Sequence, residues 1–132
     1  MNKLQGTIYQ IQSQDSLSLV KVTVDELNLT AIVIDTPQTA DYLKVGQVVQ
    51  VMFKETEVVI GKGDTQAISL QNQLPGQVAA IEKGSLLCKL KVSTKVGEIT
   101  SIITTRAVEQ LALELGSAVV AMIKTNEMML SV

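Results

Sequence analysis

Apolar and polar residues alternate along this chain in short runs that recur in a fixed order. Residues 4–12 (LQGTIYQIQ), 17–24 (LSLVKVTV) and 28–34 (NLTAIVI) read as three β-strands. Leu17 and Leu19 alternate with Ser16 and Ser18, the period of a strand with one buried face. The run Ile32–Ile34 is more continuously apolar, as a strand covered on both sides would be. A short helix is predicted next, with Asp35 as its N-cap, Pro37 in its first turn and an end near Leu43. Gly46 then supplies a tight turn into a strand over 47–54 (QVVQVMFK), and 58–60 forms a last short strand.

The whole order then repeats. Shifted by 70 residues, the chain aligns with itself almost without a gap: Asn2 falls on Asn72, Gly6 on Gly76, Thr30 on Thr100, Gly46 on Gly116 and Lys54 on Lys124. The second set of strands is 74–82, 86–93, 98–104, 117–124 and 128–130, with Ile102–Ile103 again apolar. Its helix starts at Thr105, an N-cap in the same place as Asp35, and runs to about Leu113. A glycine-rich polar linker, 61–66 (GKGDTQ), separates the copies. The expected organisation is two tandem units, 1–63 and 68–132. Each is an OB-like five-stranded barrel with one short helix after its third strand, so the fold class is all-β.

Composition narrows the chemistry. A unit of about 60 residues is marginal alone, and with one cysteine and no histidine the chain has neither a disulfide framework nor an ordinary zinc site. With 46% hydrophobic residues, packing of the copies on each other and association into oligomers are the expected source of stability. No run nears the roughly 18 apolar residues of a membrane span, and the N-terminus lacks the charged and apolar regions of a signal peptide, so a cytoplasmic protein with no membrane partner is expected. Net charge is −2 and the aromatics are Tyr9, Tyr42 and Phe53, a poor basis for nucleic-acid binding. A catalytic role is not expected either. There is no histidine base, no GxSxG or HExxH pattern, and GKGD lacks the spacing of a phosphate-binding loop. Cys88, inside an alternating strand, reads as structural.

Lys54 and Lys124 stand in register at the ends of apolar strands, the first followed by Glu55 and the second by Thr125. Ser69-Leu70-Gln71-Asn72 precedes the first strand of the second copy. In a small closed barrel the first and last strands approach each other. A hydroxyl, an amide, backbone N–H groups and an ammonium would then meet, the donors a small anion needs.

The segments ISLQNQLPG at 68–76, IEKG at 81–84, ITTRAVEQLALELG at 103–116 and AMIKTNEMML at 121–130 resemble the Mop, or molbindin, family of TOBE-like molybdate-binding proteins. KVGQVV at 44–49 and FKETEVVIGKG at 53–63 repeat the pattern more weakly, so the resemblance spans the chain in the tandem, di-Mop form. The resemblance implies barrels assembled into homotrimers that hold molybdate or tungstate between subunits, as bound oxyanions rather than metal cations or catalytic cofactors. It implies storage or buffering in the cytoplasm. The alternative is the oxyanion-sensing portion of a molybdate-responsive transcription regulator or transporter ATPase. By motif, the implied donors are Ser69, Gln71, Lys124 and Thr125, with Lys54 as the first copy's lysine. Gln71 stands where the family commonly has arginine, Glu55 where a small or hydroxylic residue is usual, and the first copy lacks the serine segment. Fewer or weaker sites than in a typical member are expected.

Overall fold

A computed structural model describes residues 1–64 and 67–132. Thr65 and Gln66 of the expected linker lie outside the described residues. The strands are β1 (Asn2–Gln14), β2 (Leu17–Val24), β3 (Leu27–Val33), β4 (Val48–Phe53) and β5 (Val59–Gly61), then β6 (Asn72–Lys83), β7 (Leu87–Thr94), β8 (Gly97–Thr104), β9 (Ala118–Ile123) and β10 (Met129–Ser131). They form two five-stranded antiparallel sheets, ordered β10-β4-β1-β2-β3 and β5-β9-β6-β7-β8. β10 also touches β3, and β5 touches β8, which curls each sheet towards closure. The all-β, two-barrel expectation stands.

The fifth strand of each sheet comes from the other copy. β5 pairs with β9, with Ile60 opposite Ala121, and β10 pairs with β4, with Leu130 opposite Val51. Sequence could not distinguish this from each copy keeping its own last strand, because the repeat makes the two pairings equivalent in pattern. The exchange ties the halves together, and their buried side chains form one contiguous cluster, including Val20, Leu29, Phe53, Leu74, Leu90 and Ile123. Each such fully buried aliphatic or aromatic side chain contributes about 1.5–3 kcal/mol.

Long first strands serve both neighbours by bending. β1 pairs with β4 through residues 2–7 and with β2 from Thr7 onward, and its register shifts between Ile8 and Gln10; β6 does the same between Val78 and Ala80. Such bulges bend and twist a strand. Gly46 and Gly116, at φ of 92° and 89°, make the turn into β4 and β9, where their N–H groups donate to the carbonyls of Ile8 and Val78 at 2.8 Å.

Three local expectations are corrected. The inward face of β2 is Ser18, Val20, Val22 and Val24, while Leu17 is exposed and Leu19 half-buried. The three valines decide the register, and Ser18 tolerates burial because its hydroxyl donates to the Asp35 carbonyl at 2.6 Å. Nor are Ile32–Ile34 and Ile102–Ile103 covered on both sides. β3 and β8 are the outer strands, Ile34 is 79% exposed, and Ile32, Ile102 and Ile103 are half-buried.

The third correction is the helix, which forms in only one copy. α1 (Thr105–Gln110) is capped by Thr104, whose side chain accepts from Ala107 N–H at 3.0 Å, so the cap lies one residue before the expected Thr105. Val108 anchors the helix to the core. In the first copy Gln38 replaces Val108 and stays exposed, and residues 35–43 form turns at 37–39 and 41–42 but no helix. There the Thr39 hydroxyl accepts from Thr36 N–H and donates to Asp35, hydrogen bonds that compete with a helix.

Candidate functional site

The pairing of first and fourth strands sets the sequence-designated residues beyond the ends of paired strands, Gln71 and Lys124 in the second copy and Lys54 in the first. Asn72 pairs with Ile123, so Gln71 and Lys124 are the next residues outward on adjacent strands, with Ser69 and Thr125 just beyond. In the first copy Asn2 pairs with Phe53, and Met1 and Lys54 follow. After each lysine the chain makes one 3-10 turn, Glu55–Glu57 or Thr125–Glu127, closed by Glu57 or Glu127 N–H donating to the lysine carbonyl at 3.0 Å. Ser69, Gln71, Lys54 and Lys124 are exposed and Thr125 is half-buried. Among the described residues neither lysine has a salt bridge.

Each lysine end rests on the opposite sheet. The turn Glu55–Glu57 packs on β8 and Thr125–Glu127 on β3. Two buried asparagines fix this contact. The Asn72 amide donates to the Thr30 carbonyl at 2.8 Å and accepts from Thr30 N–H at 2.7 Å. Asn2 treats Thr100 in the same way, at 2.8 and 2.9 Å. Each side-chain amide continues the ladder of an outer strand as a peptide group would, which also blocks that edge. In the sequence these asparagines are identities of the self-alignment, Asn2 with Asn72 and Thr30 with Thr100, and Asn72 also closes the Ser69–Asn72 cluster. Nothing in the sequence says that they pair crosswise.

The two ends differ in charge. At the first, the Glu55 carboxylate accepts from the Met1 ammonium. That ammonium holds the Glu55 carboxyl below its ordinary range, and the charge of Lys89 on β7 adds to the pull. At the second end Thr125 replaces Glu55, and the counterpart of Lys89 is Leu19. Lys124, Thr125, Ser69 and Gln71 thus offer an ammonium, two hydroxyls and an amide, a donor set suited to a tetrahedral dianion.

Two concave surfaces lie apart from the lysine ends. A cavity of about 780 Å³ is lined by the β1–β2 hairpin, including Gln12, Leu17 and Ile32. Another of about 400 Å³ occupies the equivalent place in the second copy, lined by Glu82, Cys88 and Ile102. Cys88 is buried, with its Sγ 3.4 Å from the Thr105 hydroxyl. No group of His, Cys, Asp or Glu among the described residues could hold a metal cation, and no helix among them is long and apolar enough to cross a membrane.

Comparison with known proteins follows the repeat. A TOBE domain model matches residues 1–60 and 68–130. Molybdenum-pterin-binding protein 3 of Clostridium pasteurianum is 34% identical over 65 residues, which span 48% of this chain and 96% of that protein. Molybdenum-pterin-binding protein 1 of the same organism is 35% identical over 65 residues, with the same shares. The crystal structure of the cytoplasmic molybdate-binding protein ModG, with molybdate bound, superposes with a TM-score of 0.93 at 27% identity, covering 99% of this chain and 95% of that one.

Proposed function

The chain belongs to the TOBE domain family, in a tandem Mop arrangement, and from that premise we propose that it binds molybdate, or its analogue tungstate, without catalysing a reaction. The observation that carries this reading is the likeness over 99% of the chain to a protein whose crystal structure contains molybdate. Storage or buffering in the cytoplasm is the role that fits a binding protein with no catalytic constellation. The two repeat units, 1–63 and 68–132, each present one lysine end. Lys124, Thr125, Ser69 and Gln71 hold the oxyanion at the second, and Lys54 is the corresponding cation at the first.

Ser69, Gln71, Lys54 and Lys124 are exposed in a single chain, and an ammonium or hydroxyl binds a dianion far more strongly where water is largely excluded. Neighbouring subunits therefore complete the site, in a homotrimer. The exposed Ile34, Leu86, Leu87 and Leu115 supply apolar surface for such assembly.

Calorimetric titration with molybdate, tungstate and sulfate tests the reading. Molybdate at a hundred times its dissociation constant adds about 2.7 kcal/mol of stability per independent site, and chloride adds none. Lys124→Ala removes most of the binding. Absence of both heat and thermal shift at millimolar molybdate and tungstate refutes the proposal, and a stable monomer in light scattering refutes the intersubunit site.

A further inference from the structure

We infer that Asn72 is a positioning residue for the oxyanion site around Lys124. Its side-chain amide, bonded to the backbone of Thr30 in the other copy, sets the arm that carries Ser69 and Gln71 in place beside the arm that carries Lys124 and Thr125. The inference rests on the molybdate-binding reading and adds a residue that does not itself touch the ion.

The donors of this site sit on two arms beyond the ends of paired strands. Residues 67–71 lead into β6 without helix or strand, and Lys124 follows β9. Such ends are poorly ordered unless something ties them down. On the first arm, the Gln73 side-chain amide donates to the Leu70 carbonyl at 3.0 Å. Asn72, 1% exposed, uses both halves of its amide on Thr30, at 2.8 and 2.7 Å. The second arm turns over at Thr125–Glu127, closed onto the Lys124 carbonyl, and that turn packs on β3, the strand to which Thr30 belongs. Both arms therefore stand on one strand of the other copy. Asn72 is the buried polar link on the Gln71 side, and it pairs with Ile123, the residue before Lys124. Donors bind an ion tightly when they need little reordering as it arrives. Without the Asn72 amide, the first arm keeps the Gln73 bond, which lies within its own copy, and loses its buried polar hold on β3.

The repeat supplies the control. Asn2 makes the same two bonds to Thr100, at 2.8 and 2.9 Å, but it adjoins Met1 and pairs with Phe53, the residue before Lys54. Removing either amide takes a comparable contact from the fold, and only Asn72 adjoins the Gln71 and Lys124 arms. A loss of stability alone leaves the affinity of a protein that stays folded unchanged. Affinity therefore separates positioning from mere support.

The test is calorimetric titration of the full chain with sodium molybdate, for the unmodified protein, Asn72→Ala, Asn72→Ser and Asn2→Ala, each shown to be folded by circular dichroism at the titration temperature. Asn72→Ala and Asn72→Ser are expected to raise the tightest dissociation constant at least tenfold, and Asn2→Ala to leave it within threefold, although urea midpoints fall at both positions. Two results overturn the inference and leave the binding function intact: a weakening of less than tenfold in the Asn72 variants, or a similar weakening in Asn2→Ala. If neither Asn72 variant folds, the amide serves the fold rather than the site, and the inference falls. If the unmodified protein binds no molybdate, the inference and the binding function fall together.

Discussion

Replacing Asn72 by alanine removes a two-bond connection between the copies, and its cost follows from the geometry. The side chain is 1% exposed and makes its bonds of 2.8 and 2.7 Å to the carbonyl and N–H of one residue, Thr30. Alanine loses both bonds, each worth about 1 kcal/mol net, and leaves a donor and an acceptor on half-buried Thr30 with restricted access to water. The expected loss is about 2–4 kcal/mol. Asn2→Ala is expected to cost somewhat less, because Asn2 itself is 7% exposed and so less fully removed from water than Asn72. The assay is urea denaturation without ligand, following the midpoint at constant slope. Asn72→Asp is the sharper probe. It keeps the acceptor for Thr30 N–H but sets a carboxylate against the Thr30 carbonyl, so its folded-state pKa lies above the unfolded value. Protonation restores the donor. The variant should therefore regain stability relative to the unmodified protein as pH falls towards 4, and lose it as pH rises through the raised pKa. A loss below about 0.5 kcal/mol for Asn72→Ala, within the range of ordinary surface substitutions, refutes the idea that these amides hold the copies together.

Gly6→Ala should destabilise by about 1–3 kcal/mol in the same assay, since its Cβ would lie 2.5 Å from Val22 Cγ1 and 2.7 Å from the Thr23 carbonyl oxygen, a backbone atom with little room to yield. Ala112, at φ of 50°, ends the only α-helix among the described residues in a left-handed conformation, so Ala112→Gly should raise stability by about 0.5–1 kcal/mol. The Glu55 carboxyl is held below its ordinary range by the Met1 ammonium and Lys89. Its contribution is accordingly present above the unfolded carboxylate pKa and lost as pH falls through the lower folded value; melting curves of Glu55→Gln and the unmodified protein should differ at pH 7 and converge in acid.

Much of this architecture could be read from residue order, for a physical reason. Strand period, turn glycines and the self-alignment are local signals, and Gly46, Gly116 and the lysine-ended strands lie where they place them. What failed was whatever depended on competition between near-equal alternatives. The phase of β2 turned on three valines outweighing two leucines. The first-copy helix turned on one position, Gln38 in place of Val108, together with the hydroxyl of Thr39. Partner choice for β5 and β10 was invisible because each copy offers the same edge to both. Of the proposed site, the register gives only the placement of Gln71 and Lys124, each one residue beyond the Asn72–Ile123 pair. The role of Met1 and Lys89 around Glu55 was not legible, since it depends on tertiary placement across two sheets.

The exchange of last strands also sets a timetable for synthesis. β4 ends at Phe53, yet the strand that completes its sheet begins at Met129. At about 5–20 residues per second, a ribosome needs roughly 4–15 s to cover that interval. Throughout it the nascent first sheet has one edge without its native partner, an edge able to capture strands from neighbouring chains. A lesion that truncates the protein before residue 129 would therefore leave its damage at the far end of the sequence from where the chain was cut, in the copy translated first.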